Sequence, residues 1–148
     1  MSHRRVHLLA ALLTALALVG AGCGGDSTTA PADTAAQTEA ATSQVTLLEP
    51  AAAQALIAGG DVEVLDVRTP AEYDEGHIEG ATLIDFYEPD FATRIGELDP
   101  DKEYVVYCRS GSRSSQAVAL MAAQGFTAVN DVDGGIVAWQ GAGLPVMP

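Results

Sequence analysis

The sequence predicts an α/β domain in which a mostly parallel sheet is covered by helices on both faces. Short apolar runs rich in Val, Leu and Tyr alternate along residues 45–148 with segments of helical character. Such runs are typical of parallel strands, because the crossover helices bury both faces of the sheet. About a hundred residues suffice for one hydrophobic core, so we expect a single domain in this part of the chain.

The first half of the domain contains three predicted strands and two helical segments. Residues 45–48 form a short apolar strand, and residues 49–58 form an Ala-rich helix that two glycines end. Residues 62–67 are the second strand. Residues 70–75 favour a helical turn, because proline comes early and acidic residues lie in the first turn. A third, short strand is predicted at residues 82–85.

The second half continues the alternation. Residues 87–96 are helical or irregular, and residues 103–107 form an apolar strand. Residues 114–124 have apolar side chains along one helical face, a serine available to cap the first turn and a glycine directly after the last residue. A final strand at residues 127–132 and a helix at residues 136–140 complete the domain.

Cys108 directly follows a predicted buried strand and begins a Gly-containing, basic turn. A helix N-terminus, turn amides and two guanidinium groups all favour a thiolate over a thiol. Ligands of parallel sheets bind beyond the carboxyl ends of the strands, which is where this cysteine lies. We therefore predict that Cys108 is the nucleophile. The predicted substrate-binding loop consists of Arg109, Ser110, Gly111, Ser112, Arg113 and Ser114.

The N-terminus resembles a bacterial lipoprotein signal peptide. Arg4 and Arg5 precede an apolar run at residues 8–19, and small residues lead to Cys23. The run is shorter than the roughly 20 apolar residues that span a bilayer. We predict a signal peptide at residues 1–22, lipidation of Cys23 and a flexible tether over residues 23–44. The alternative is an ordinary secretory signal with an incidental cysteine.

Charge and cysteine content agree with export to an extracytoplasmic, membrane-anchored location. Without residues 1–22, five basic and twenty acidic residues remain, which gives a formal charge of −15. Such a chain is repelled by nucleic acid and by anionic head groups. With Cys23 acylated, Cys108 has no intramolecular disulfide partner. The sequence carries no signal for a metal, nucleotide or flavin cofactor.

Four groups of residues, in order, resemble the rhodanese family of sulfurtransferases over residues 45–148. They are Asp66, Val67 and Arg68 with Glu72 and Tyr73; residues 76–81; residues 108–114; and Gly134, Gly135, Ala138, Trp139, Gly143, Leu144 and Pro145. The resemblance implies a rhodanese-like, largely parallel five-stranded sheet. It also implies that Cys108 accepts a sulfane sulfur as a persulfide and passes it to cyanide, a low-molecular-weight thiol or a protein thiol.

The chemistry of the loop favours a small anionic sulfur donor such as thiosulfate. Attack on a sulfane sulfur requires a thiolate and a weakly basic leaving group, and sulfite is such a group. A guanidinium charge about 4 Å away contributes roughly 4 kcal/mol at an effective dielectric constant of about 20, before screening by solvent, against about 0.3–1 kcal/mol for a helix dipole. We therefore expect Arg109 and Arg113 to outweigh the helix in donor binding and in thiolate formation.

Other functions remain open from the sequence. Cysteine-dependent phosphatases resemble this loop but place five residues between cysteine and arginine, whereas four separate Cys108 from Arg113. Cys108 can also be a small buried core residue. If the chain is a rhodanese, it can act as an enzyme, as a persulfide carrier for a protein partner, as a catalytically silent binding module or in thiol redox balance at the envelope.

Six further residues are predicted to be structural. Asp66 and Arg68 are expected to fix the turn after the second strand through a buried pair or caps. His77 is expected to make a structural hydrogen bond, and Trp139 to pack in the core. Gly134 and Gly135 are expected to be turn or cap glycines.

Overall fold

The computed structural model describes residues 44–148, so the predicted signal peptide, Cys23 and almost all of the tether lie outside the described residues. A five-stranded sheet has the order β1-β5-β4-β2-β3, and each neighbouring pair of strands is parallel. The predicted fold class is therefore confirmed. The strands are β1 Gln44–Leu48, β2 Val62–Asp66, β3 Thr82–Leu83, β4 Glu103–Tyr107 and β5 Ala128–Val132.

Five helices connect or follow these strands. They are α1 Pro50–Ala58, α2 Pro70–Asp74, α3 Phe91–Gly96, α4 Ser112–Ala123 and α5 Gly135–Gly141. Within residues 44–148, no helix has the length and apolar character needed to cross a membrane.

Two apolar cores lie on opposite faces of the sheet. Val106 and Val129 pack with Met121 of α4 on one face. On the other face, Val105 packs with Trp139 of α5, in a core that also includes α1. Helices therefore cover both faces, as the alternation of elements predicted, and Trp139 is a core residue as expected.

The central position of β4 places Cys108 at the middle of the carboxyl edge of the sheet. β4 pairs with β5 on one side and with β2 on the other. Residues 104–107 are almost fully buried, as expected for a strand that is covered on both faces. Cys108 directly follows β4, so it lies between the neighbouring strands β2 and β5.

Helix α4 begins two residues earlier than predicted. Gly111 adopts a left-handed φ of +96°, and this turn allows the helix to start at Ser112. The prediction that Ser114 caps the start of this helix is therefore wrong. Ser114 lies within the first turn, where its side chain faces the loop. A capping box is instead present at α2, where it is formed by Thr69 and Glu72.

The third strand is shorter than predicted, ending at Leu83 instead of residue 85. Ile84 still donates its N–H to the Asp66 carbonyl, at 2.9 Å. The carboxylate of Asp85 then accepts from the N–H of Tyr87, at 3.0 Å. An Asp side chain that binds the backbone two residues on favours a turn over a strand.

Candidate active site

The Cys108 side chain lies at the base of a loop and is only 1% exposed. The two residues that follow it, Arg109 and Ser110, are exposed, and the chain then turns at Gly111 into α4. The predicted loop residues are thus adjacent in space as well as in sequence. The arrangement is a thiol enclosed by backbone at the N-terminus of a helix.

Two donors contact the Cys108 sulfur. The N–H of Gly111 donates to Sγ at 3.2 Å, and the hydroxyl of Ser114 lies 3.6 Å from the same atom. The Ser114 hydroxyl is also 3.1 Å from the carbonyl oxygen of Gly111. Because a hydroxyl has one proton, it can donate to only one of these acceptors at a time.

These donors make the thiol more acidic. Burial raises the pKa of Cys108, but hydrogen bonds from the Ser114 hydroxyl and from the backbone amides of Ser114, Ser110 and Arg113 lower it by more, so the pKa lies below its ordinary value. The largest contributions that lower the pKa are hydrogen bonds from donors of the loop and of the first turn of α4, whereas we expect from the sequence that the guanidinium charges outweigh the helix.

Arg113 is not available as an unpaired cation for an anionic donor, contrary to the sequence-based expectation. Its guanidinium binds both carboxylate oxygens of Glu72, at 2.7 Å and 2.7 Å. It also lies 5.5 Å from the centre of the exposed Tyr87 ring. Among residues 44–148, Arg109 forms no ion pair, so it supplies the free positive charge beside the loop.

Glu72 and Tyr87 are site residues whose roles sequence reasoning missed. Glu72 was recognised only as part of a family motif, and Tyr87 only as the start of an irregular segment. The Thr69-to-Glu72 capping pattern predicts where the Glu72 carboxylate is held. No local signal predicts its second partner, because Glu72 and Arg113 are 41 positions apart in the sequence.

Gly135 allows α5 to approach the backbone of the Cys108 loop. The N–H of Ile136 donates to the Cys108 carbonyl at 2.9 Å, and the N–H of Val137 donates to the Arg109 carbonyl at 3.2 Å. A Cβ at Gly135 would lie 2.5 Å from the Cys108 oxygen. The φ angle of Gly135 is +59°, and Gly134 before it has a φ of +66°. Both are cap or turn glycines, as predicted.

The Asp66 and Arg68 side chains form a buried ion pair at the end of β2, 2.6 Å apart. Arg68 also donates to the Gly76 carbonyl at 2.8 Å, and its guanidinium lies 5.5 Å from the centre of the Tyr107 ring. These contacts fix the turn after β2, as expected. The pair therefore supports the strand next to the one that ends at Cys108.

His77 has a structural environment. Its ring stacks on Tyr73 with centroids 3.8 Å apart, and Nδ1 lies 3.2 Å from the Tyr73 carbonyl oxygen. Residues 44–148 contain no group of three or more His, Cys, Asp or Glu side chains that could hold a metal ion. Nothing in the described part of the chain therefore links His77 to a metal centre.

Comparison with known proteins identifies the family. A family profile described as the rhodanese-like domain matches residues 49–142. The chain belongs to the rhodanese family. The matched residues include the Cys108 loop, the Asp66–Arg68 pair and the glycine turn before α5.

Similar proteins support this assignment. A sulfurtransferase from Allochromatium vinosum is 41% identical over 87 residues, which cover 59% of this chain and 79% of the relative. The thiosulfate sulfurtransferase GlpE from Pseudomonas entomophila is 40% identical over 93 residues, covering 63% of this chain and 83% of the relative. The crystal structure of a rhodanese-related protein from Thermoplasma volcanium has a TM-score of 0.62 at 32% identity, over 69% of this chain and 97% of the other.

Two clefts in the rhodanese domain lie away from the Cys108 loop. One, of about 350 Å³, is lined by α1 residues with Ile78, Trp139 and Pro145; the other, of about 230 Å³, lies near Lys102 and Tyr104. Neither includes Cys108.

Proposed function

We propose that this chain is a rhodanese-type sulfurtransferase that carries sulfur as a persulfide on Cys108. The observation that carries the proposal is the contact of Sγ with the Gly111 amide at 3.2 Å and with the Ser114 hydroxyl at 3.6 Å. The same donors can hold the outer sulfur of a persulfide anion without a general base. Family membership and the sulfurtransferase names of its relatives support sulfur transfer in general.

The proposed reaction has two displacements. The Cys108 thiolate attacks the outer sulfur of thiosulfate, and the bond between the two donor sulfur atoms breaks. Sulfite leaves with the bonding electron pair, and Cys108 becomes a persulfide anion. An acceptor such as cyanide or a thiolate then attacks the outer sulfur, and the Cys108 thiolate leaves. No net oxidation or reduction by another reagent is required.

Arg109 favours a small anionic donor. Arg109 directly follows Cys108, it is exposed, and it forms no ion pair among residues 44–148. The chain as a whole is acidic, with a formal charge of −13. A local positive charge is therefore needed to offset the repulsion of a dianion. We propose thiosulfate as the donor because its charge is close to the sulfur that is transferred.

Mass measurement tests the proposed reaction. Full-length protein with the thiol reduced beforehand is treated with thiosulfate, and its intact mass is expected to rise by one sulfur atom. Cyanide or excess thiol should remove that atom and release thiocyanate or a persulfide. The matched pair of variants is Cys108→Ser, which should gain nothing, and Cys23→Ala, which should gain sulfur normally. An unchanged wild-type mass would contradict the proposal.

Turnover distinguishes the remaining roles. Multiple turnovers with thiosulfate and cyanide support an enzyme, whereas loading without turnover supports a persulfide carrier. A binding module would do neither. Hydrolysis of an aryl phosphate would support the phosphatase alternative, although four residues between Cys108 and Arg113 give a loop shorter than the phosphatase pattern.

We further propose that Cys23 anchors the domain to the outer face of a cell membrane through attached lipid. The basic, apolar and small-residue pattern before Cys23 supports this location. The Cys23→Ala protein should move from the membrane fraction to a soluble or unprocessed form while its sulfur chemistry is retained. Membrane retention of a processed Cys23→Ala protein would contradict lipid anchoring.

A further inference from the structure

A buried carboxyl group lies on the strand next to the one that ends at Cys108. Asp131, on β5, is 4% exposed. It pairs in register with Val106 of β4 and with Leu47 of β1. Side chains two apart on a strand share a face, and Val129 belongs to the core that α4 covers. Asp131 is therefore on the α4 side of the sheet, the side from which Ser114 contacts the sulfur.

One oxygen of this carboxyl group makes no hydrogen bond. Oδ1 of Asp131 is the single buried side-chain polar atom without such a partner among residues 44–148. Leaving a buried acceptor unsatisfied costs about 1–3 kcal/mol, and more when the group is charged. The fold gains no contact from this atom that explains its burial.

Ser114 connects Asp131 to the nucleophile. Burial raises the pKa of Asp131, the Ser114 hydroxyl opposes the rise, and the exposed Asp133 adds to it. In the structure the Ser114 hydroxyl is directed at the Gly111 carbonyl and at the Cys108 sulfur. Asp131 and Ser114 thus lie on the same side of the sheet, and the Ser114 hydroxyl makes its hydrogen-bond contacts with Gly111 and Cys108 instead of with Asp131.

Few other ionisable groups face Asp131. β1 contains none, and the one titratable residue of α4, Arg113, binds Glu72. On β4, Tyr104 shares the α4-covered core but binds the Asp99 carbonyl with its hydroxyl. The ionisable groups that remain are Cys108, beyond the end of β4, and Asp133, after β5.

We propose that Asp131 is a positioning residue that controls the ionisation of Cys108 through the Ser114 hydroxyl. A neutral Asp131 can donate its O–H to Ser114 Oγ, which leaves the Ser114 proton for the sulfur. An ionised Asp131 is an acceptor that competes with the sulfur for that same proton. An ionised Asp131 also disfavours a second negative charge on the sulfur, by repulsion of like charges.

The pH dependence of Cys108 alkylation by iodoacetamide tests this proposal. The measurement uses the full chain with Cys23→Ala, so that Cys108 is the reacting thiol. Asp131→Asn keeps the size of the side chain and removes its charge. Its alkylation midpoint should move to lower pH by at least about half a unit, which is roughly a threefold gain in rate below the midpoint. The inference rests on the proposed function only in taking Cys108 as the working thiol.

Matched variants test whether the shift of the alkylation midpoint is specific to Asp131 and Ser114. Asp133→Asn removes an exposed acidic charge two residues away and should shift the midpoint by less than about a third as much. Ser114→Ala should raise the midpoint, and adding Asp131→Asn to it should produce less than half of the original shift. If Asp131→Asn does not fold, Asp131→Ser is measured in its place, with the same direction expected.

Two results would overturn the proposal: superimposable profiles for the wild type and the neutral variant, or an equal shift in Asp133→Asn. Alkylation requires no sulfur donor. A normal shift without persulfide formation would therefore reject the sulfurtransferase function alone, and persulfide formation without a shift would reject the role of Asp131 alone.

Discussion

The guanidinium of Arg113 and the carboxylate of Glu72 form a two-point ion pair that joins the first turn of α4 to α2. Both nitrogen–oxygen distances are 2.7 Å. The N–H of Thr69 donates to the same carboxylate at 3.1 Å, so the Glu72 carboxylate takes part in both the ion pair and the capping box of α2. Glu72 of α2 therefore holds the C-terminal end of the Cys108 loop in place through Arg113.

Glu72→Gln should destabilise the fold in a pH-dependent manner. The hydrogen bond from Arg113 lowers the pKa of Glu72 to about 2, below the ordinary value of 4.5. The stabilisation is therefore complete above about pH 4.5 and is lost as the pH falls through about 2. We expect the free energy of unfolding near pH 7 to fall by about 1–3 kcal/mol, with a smaller difference near pH 3.

Denaturant unfolding at several pH values measures this difference. Glu63→Gln is the control, because the Glu63–Lys102 pair is about half exposed on both sides and should leave stability unchanged within error. A loss that does not depend on pH would show that the Glu72 carboxylate acts through packing and not through its charge.

Arg109→Gln should slow the reaction with thiosulfate more than the reaction with an uncharged polysulfide. The exposed Arg109 guanidinium attracts the dianion, and we expect a roughly threefold to tenfold lower loading rate at low salt. The difference should shrink as the ionic strength rises above about 0.1 M, where the screening length is about 10 Å. Initial rates of sulfite release measure the effect. Equal losses of rate with both donors would show that Arg109 acts through the shape of the loop and not through its charge.

Arg113→Gln should differ from Arg109→Gln, because its charge is paired with Glu72. We expect lower stability and a loss of rate that is similar for charged and neutral donors. Thermal unfolding and the same sulfite assay separate the two variants. A stable Arg113→Gln protein with a defect confined to thiosulfate would restore Arg113 as a donor-binding residue.

Gly135→Ala should disrupt the Cys108 loop. A Cβ there would lie 2.5 Å from the Cys108 oxygen and 2.7 Å from the Arg109 carbonyl carbon, and both are backbone atoms. We expect Cys108 alkylation to change at least about tenfold and stability to fall by about 3 kcal/mol or more. Gly125→Ala is the control: its φ is +92°, but its Cβ would meet nothing within 4 Å. It should cost about 1–2 kcal/mol and leave alkylation unchanged.

Asp66→Asn should destabilise the domain strongly. Asp66 is fully buried, and it accepts hydrogen bonds from the backbone and side chain of Arg68. Removing its charge leaves the Arg68 guanidinium buried without its counterion, which typically costs about 3–5 kcal/mol. Denaturant unfolding measures the loss, and Asp61→Asn at an exposed position is the control. A loss below about 1 kcal/mol would contradict a structural role for the pair.

The sequence by itself determined the alternation of strands and helices and the position of Cys108 at a strand end. These features depend on local chemistry. Buried β4 is a continuous apolar run, α2 carries its capping residues within one turn, and Gly135 follows a glycine at the helix start. Side-chain periodicity and backbone conformational preference act over a few residues, so a linear pattern contains them.

Only the tertiary structure decided which distant elements lie beside the Cys108 loop. Glu72 and Asp131 come from α2 and β5, and the sheet order β1-β5-β4-β2-β3 brings those elements to either side of Cys108. The predicted strand at residues 127–132 included Asp131 without indicating its neighbour. Ser114 similarly changed from a cap to a sulfur contact once Gly111 turned the chain. The reason is physical: strand order, helix start and the direction of a single hydroxyl proton depend on contacts between distant residues, which spacing along one chain does not specify.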